Sequence, residues 1–226
     1  MKKTGIAFIG GEGPAPALCR RLAGEVRSGG LIVAADSGLA AAEDAGFRPD
    51  WIVGDMDSLG ELPGGLLRLE KYPPERIRRC RRDKDLTDTE IALELLWERG
   101  CGDAWIIGGG GGRVDHLFAL RALFERERFP RRWITAAEDI RCVEVPDLLT
   151  LMPEPPLPPG APVSVFPLGD GPWEAESRGL KWPLAGIPWN RGFFGLSNEA
   201  AGGSFSVRAL AGRFLVVIPL SPEPSP

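Results

Sequence analysis

Leu31-Ile32-Val33-Ala34-Ala35-Asp36-Ser37-Gly38 and Trp51-Ile52-Val53-Gly54-Asp55-Met56-Asp57-Ser58 are each a short, unbroken apolar run that ends in aspartate. Hydrophobicity that is continuous rather than alternating marks strands buried on both faces, the strands of a helix-covered parallel sheet. Three further runs share the pattern: Gly5 to Ile9, Trp105 to Ile107 and Trp133 to Thr135. A shorter one covers Ile77 to Cys80. Between them lie stretches of helical spacing: Ala15 to Arg27, Leu39 to Ala45, a turn at Leu66 to Lys71, Thr87 to Arg99 and Val114 to Arg126. Alternation of this kind predicts an α/β domain with a mostly parallel sheet. Ligands of such sheets gather at the carboxyl ends of the strands.

After about residue 138 helical periodicity stops. Pro146 to Pro162 is proline-rich, and short alternating strands follow at Val163 to Phe166, Ser204 to Ala209 and Phe214 to Ile218. This predicts a second, all-β, sandwich-like domain. The expected division is 1–138 and 139–226, with an unstructured tail over Pro219 to Pro226.

Composition narrows the chemistry. Of 226 residues, 31 are Asp or Glu and one, His116, is histidine, so a histidine-rich zinc or iron site is excluded. A metal held by carboxylates would be Mg2+, Mn2+ or Ca2+. The net charge of −4 gives no reason to expect nucleic acid, and the arginines at 76, 78, 79, 81 and 82 read as a solvated face beside an anionic substrate. Cys19, Cys80, Cys101 and Cys142 are scattered without metal-site spacing, as in a reduced, cytoplasmic protein. No apolar run reaches the roughly 20 residues of a membrane span, and no targeting segment is expected.

Four motifs carry the candidate chemistry. Asp55 and Asp57, two apart on extended chain, would face one way and could hold a hard cation, with Ser58 beside them. A turn-forming role is the alternative. In Asp83-Lys84-Asp85-Leu86-Thr87-Asp88-Thr89-Glu90, Thr87 and Glu90 fit a capping box, and Asp88 suits a first helical turn. Asp83 and Asp85 need an offsetting cation, and Lys84 could be that cation or could hold a phosphate. Gly108 to Gly112 leads from a strand into a helix, so its N–H groups could approach a phosphate, with Arg113 adding a fork of donors. Asp36 ends a further strand, where an N-cap role is equally open. Convergence of separate strand ends points to phosphoryl chemistry more than any one motif does.

In order, Ala35-Asp36-Ser37-Gly38, Gly54-Asp55-Met56-Asp57-Ser58, Asp83-Lys84-Asp85-Leu86-Thr87-Asp88 and Gly111-Gly112-Arg113-Val114-Asp115-His116 form a set. Ser177-Arg178-Gly179-Leu180-Lys181-Trp182-Pro183-Leu184 and Gly195-Leu196-Ser197-Asn198-Glu199 complete it. The set, covering about Ile6 to Ile218, resembles the thiamine pyrophosphokinase family. The resemblance implies an α/β domain followed by a β-sandwich, a homodimer, and pyrophosphoryl transfer from ATP to thiamine with Mg2+, giving thiamine diphosphate and AMP. It implies that Asp55, Asp57 and Asp88 serve the metal and, with Lys84, the reacting groups. Asp36, Ser58, Asp85, Thr87, Gly110, Gly111, Gly112, Arg113, Asp115 and His116 would line the nucleotide and its metal. Trp182, Ser197 and Asn198 would hold thiamine at the subunit interface. Leu120 departs from the pattern, standing where the family often has Asn. The rival readings are another Mg-dependent phosphotransferase or nucleotide hydrolase acting on a different small alcohol, and a non-catalytic sensor of thiamine diphosphate or ATP.

Overall fold

The computed structural model describes residues 3–24, 26, 30–81, 83, 85–151 and 156–220, and the chain divides into two units, Met1–Ala137 and Glu138–Pro226. In the first unit the strands are β1 (Thr4–Phe8), β2 (Leu31–Ala35), β3 (Trp51–Gly54), β4 (Ile77–Arg79), β5 (Asp103–Ile107) and β6 (Arg132–Ile134). They lie in the order β6-β5-β1-β2-β3-β4, every pair parallel. The helices are α1 (Pro16–Gly24), α2 (Gly38–Asp44), α3 (Asp57–Glu61), α4 (Gly65–Leu69), α5 (Asp88–Glu98) and α6 (Val114–Leu123). The apolar runs are buried because helices cover them: Ala7, Phe8, Val33, Ala34, Ile52 and Val53 are fully inaccessible. Residues 25 and 27, where α1 was expected to end, lie outside the described residues.

Two differences from the sequence reading bear on function. Asp57 is not on extended chain: Met56 takes a left-handed conformation (φ 68°) and Asp57 opens α3. Chain direction thus reverses within the motif, and strand alternation does not govern where its carboxylates point. The second difference is the close approach of β1 to α2: a Cβ on Gly38 would stand 2.2 Å from the Phe8 carbonyl oxygen. Only glycine lets α2 begin so near the central strand.

A charge cluster ties α2 to α4 and the turn after it. The Glu43 carboxylate accepts from Arg68 Nη1 (2.8 Å), Lys71 Nζ (3.1 Å) and the Tyr72 hydroxyl (3.2 Å). Burial opposes its charge, but those three donors hold its carboxyl below the usual range.

In the second unit, β7 (Glu138–Glu144), β9 (Pro162–Leu168), β11 (Gly195–Glu199) and β13 (Arg213–Pro219) form a sheet section in the order β11-β9-β13-β7, all antiparallel. A separate antiparallel sheet runs β10-β12-β8, from Glu174–Arg178, Phe205–Ala211 and Leu148–Leu151. Both contribute to one apolar cluster in which Val163, Val165, Val207, Phe214 and Val216 are fully buried. Residues 152–155, inside the proline-rich stretch, and 221–226, most of the expected tail, lie outside the described residues. Among the described residues no helix is long and apolar enough to cross a membrane. The four cysteines are free, three of them buried.

Tyr72 is the chain's single tyrosine. Burial, then the Glu43 charge and hydrogen bond, push its pKa from 10.0 to about 12. The raised value means that the neutral phenol stabilises the fold fully below pH 10.0, and that this contribution is lost as pH rises towards about 12. Phenolate absorbance, which reports this residue alone, should titrate near 12 in the native protein and near 10.0 in denaturant; identical titrations would refute the buried Tyr72–Glu43 contact.

Candidate active site

The carboxyl ends of β2 and β3 bring three aspartates together. One carboxylate oxygen from each of Asp36, Asp55 and Asp57 lies within 4.8 Å of the others. Asp36, only 7% exposed and left-handed (φ 49°), turns its side chain onto the start of α3. Its Oδ1 accepts from the Leu59 N–H (2.9 Å), and its Oδ2 from the Ser58 hydroxyl (2.6 Å) and N–H (3.2 Å). A residue from another strand thereby caps a five-residue helix that has no cap of its own. Asp55 Oδ1 accepts from the Asp57 N–H (3.2 Å), and Asp57 Oδ1 from the Ser58 N–H (2.6 Å). Ser58 also meets Ser37, hydroxyl to hydroxyl, at 3.1 Å.

Asp88 approaches the same strand end from α5. A Cβ on Gly54 would stand 3.3 Å from both the Asp36 Cβ and Asp88 Oδ1, and φ 136° would strain any side chain placed there. Asp36 joins Asp55 and Asp57 in the close group, while Asp88 flanks it. Oxygen-only donors of this kind suit Mg2+, which takes one or two carboxylates and fills its octahedron with water and phosphate oxygens. Asp55 and Asp57 would hold such an ion, with Asp36 fixing the helix that carries Asp57.

The segment before α5 divides in two. Thr87 and Glu90 make the full capping box: Glu90 N–H to Thr87 Oγ1 (3.3 Å) and Thr87 N–H to Glu90 Oε2 (2.7 Å). Burial disfavours the Glu90 charge, yet the Thr87 donors and Arg126 keep its carboxyl below the usual range. Thr87 is thus occupied in holding the helix start. Asp83 and Asp85 are exposed, and Lys84 lies outside the described residues.

The glycine run has a partner that the sequence reading missed. Gly10-Gly11-Glu12-Gly13, which follows the apolar run Gly5 to Ile9, folds against the glycine run. Gly109 N–H donates to Gly10 O (2.9 Å), while Glu12 and Gly110 exchange bonds of 2.7 and 2.9 Å. A Cβ on Gly108 would meet Ile9 O at 2.4 Å, and one on Gly109 would meet Leu120 Cδ1 at 2.6 Å. Packing therefore accounts for these two glycines, and Leu120 fills space against the loop. Gly112 (φ 66°) has nothing within 4 Å of a Cβ position and is exposed. The adjacency of β1 and β5 could have flagged the pairing, because strand order reverses there, at the switch point of the sheet. Beyond the run, Arg113 and Asp115 form an exposed two-pronged ion pair, Nε to Oδ1 at 3.1 Å and Nη2 to Oδ2 at 2.5 Å. Each holds the other charged: Arg113 is raised by its bond to Asp115, and Asp115 is lowered by Arg113. His116 is exposed, its N–H donating to Asp115 Oδ1 at 3.1 Å.

In the second unit, Asn198 is 6% exposed and clamps the loop that carries Trp182. Its Oδ1 accepts from the Trp182 N–H (3.1 Å), and its Nδ2 donates to the Trp182 carbonyl (2.6 Å). The Trp182 ring is 50% exposed, so it is not a core residue, and Lys181 Nζ stands 4.4 Å from its centroid. Ser197 is exposed and left-handed (φ 57°), its N–H bonded to Ser164 Oγ at 3.1 Å. Among the described residues only Asp36, Met56 and Ser197 depart from negative φ without being glycine. All three lie in the motifs singled out in the sequence, where backbone strain commonly marks function.

Hard-oxygen donors and glycine loops thus gather at the carboxyl edge of a parallel sheet in an α/β domain, where ligands of such sheets bind. Residues 25–131 match the family described as thiamin pyrophosphokinase, catalytic domain. Thiamine pyrophosphokinase of Bacillus subtilis (strain 168) is 34% identical over 87 residues, 38% of this chain and 39% of that protein. The match thus spans about two fifths of the curated relative's length. In fold, the crystal structure of the Bacillus subtilis thiamine pyrophosphokinase superposes with a TM-score of 0.75 at 21% identity, covering 96% of this chain and all of that one. The Geobacillus thermodenitrificans thiamin pyrophosphokinase gives 0.69 at 24% identity, covering 97% and 98%.

Replacing the Asp36 carboxylate removes three hydrogen bonds to α3. Asp36→Ala should lower the unfolding free energy in urea by about 3 kcal/mol. A loss within error of zero would show that α3 does not depend on this contact.

Proposed function

We propose that the protein transfers the pyrophosphoryl group of ATP to the hydroxyl of thiamine, forming thiamine diphosphate and AMP. The observation that carries this reading is the group of Asp36, Asp55 and Asp57 at the strand ends of a domain matching the family. In the reaction, the thiamine oxygen bonds to the β-phosphorus, the bond from that phosphorus to the α–β bridging oxygen breaks, and AMP leaves with the electron pair. The hydroxyl proton passes to a carboxylate of the site. Transfer of this kind asks a protein for positioning and charge compensation rather than covalent chemistry. A bound Mg2+ supplies neutralisation of phosphate charge.

Asp55 and Asp57 would hold the cation, whose charge would offset that of the phosphate under attack. Asp36 keeps Asp57 in place through α3, and Asp88, beside the same strand end, would add negative charge facing a bound cation. Arg113, Gly111 and Gly112 face the nucleotide, with Asp115 holding the guanidinium in a fixed plane. Trp182 offers an exposed indole to the cationic, aromatic thiamine, and Asn198 positions it. The finer description of the second unit as a sandwich-like thiamine-binding and dimer-forming domain, the homodimer itself and a cytoplasmic location belong to the same proposal.

AMP and thiamine diphosphate should accumulate together from ATP, Mg2+ and thiamine, and EDTA should stop both. AMP production indifferent to thiamine would point instead to a nucleotide hydrolase. Asp57→Asn should lower kcat by about a thousandfold while circular dichroism stays unchanged; a folded variant with near-normal turnover removes Asp57 from the site. Trp182→Ala should raise the thiamine KM at unchanged unfolding free energy, whereas a loss of stability with unchanged KM would make the residue a packing element.

A further inference from the structure

Because every strand of the first unit is parallel, the carboxyl ends lie side by side in the order β5, β1, β2, β3, β4. Their contents change along that line. The paired glycine loops end β5 and β1, Asp36 ends β2, and Asp55 with Asp57 follows β3. At β4 the last strand residue is Arg79, in register with Gly54. From β1 to β4 is three strand spacings, about 14 Å.

Face parity places Arg79 on the side of α3. Ile77, two residues earlier, packs against the cluster of Met56, Leu59, Leu69 and Tyr72. Arg78 goes to the other face, where it meets Glu98 of α5 at 3.6 Å. Side chains alternate along a strand, so Arg79 shares the face of Ile77 and of the helix that starts at Asp57. It is exposed, and no ion pair engages it among the described residues. By contrast, Arg113 is already held by Asp115.

We infer that Arg79 binds the terminal phosphate of the nucleotide and so selects a triphosphate over shorter nucleotides. This rests on the proposed pyrophosphoryl transfer. The glycine loops at the switch point take the nucleoside and α-phosphate, as loops there commonly do. The carboxylates and their cation flank the β-phosphate, where attack occurs. The next position along the line is β4, and the group arriving there is the doubly charged γ-phosphate, for which an arginine fork is the fitting partner. Arg79 thus holds the group that is transferred, while AMP departs from the opposite end.

Equilibrium binding of ATP, ADP and AMP, each with Mg2+, to the wild type, Arg79→Ala, Arg79→Lys and Arg78→Ala tests this without depending on turnover. Arg79→Ala should weaken ATP about tenfold and leave AMP within about twofold. Arg79→Lys should fall between, and Arg78→Ala should bind all three as the wild type does. ATP binding by folded Arg79→Ala that equals wild type, an equal loss of ATP and AMP, or a wild type that binds no ATP overturns the assignment. If Arg79→Ala fails to fold, Arg79→Lys decides alone: ATP binding indistinguishable from wild type overturns it. A wild type that binds ATP yet forms no AMP with thiamine refutes the transfer reading, while the nucleotide series still decides Arg79.

Discussion

One carboxylate organises the first unit's site. Asp36 leaves β2 in a left-handed conformation and gives both oxygens to the amide and hydroxyl donors of Ser58 and Leu59. A helix of five residues cannot sustain itself in water, since its ends outweigh its interior. Without that external acceptor, the Leu59 N–H would lose its acceptor at the head of α3, and the Ser58 N–H would keep only the Asp57 carboxylate. With it, the chain can reverse sharply at Met56 and bring the Asp55 and Asp57 carboxylates to within reach of one small ion. Repulsion among three such groups is the cost, offset by the amides that each accepts and, in the proposed reaction, by a cation.

The α/β pattern was legible because burial on both faces leaves a plain signature, and β1, β2, β3, β5 and β6 all fall within a residue or two of the apolar runs. The capping box at Thr87 and Glu90 could be read from two residue types at fixed spacing. The geometry of Asp55 and Asp57 could not. Alternation presumes extended chain, and nothing in Gly54-Asp55-Met56-Asp57 announces that a methionine will adopt positive φ. The part of Asp36 was equally hidden, because its partners lie more than twenty residues away and a cap from another strand leaves no local mark. Which glycines of the run are required by packing also needed the structure. Gly108 and Gly109 are demanded by Ile9 and Leu120, contacts that belong to tertiary packing.

In the second unit the legibility was poorer for a physical reason. β7 spells Glu-Asp-Ile-Arg-Cys-Val-Glu, with charges at four of seven positions, and Arg141 pairs with Asp139 along the same strand. β10 has a single apolar residue, Ala175, that is fully withdrawn from water. Short antiparallel strands need only one good inward side chain in two, so polar sequences pass as loops. Asn198 is the opposite case: its motif was visible, but its work lies in holding the backbone on either side of Trp182, a task that residue type alone does not specify.

The left-handed Ser197 has a further effect. β11 is the outermost strand of its sheet section, and pairing with β9 slips between Gly195 and Asn198. The outward row of amides and carbonyls is therefore broken in the middle of a five-residue strand. A foreign strand seeking to extend the sheet would find no continuous ladder to copy. The kink that shapes this strand thus also interrupts the edge at which another strand would add.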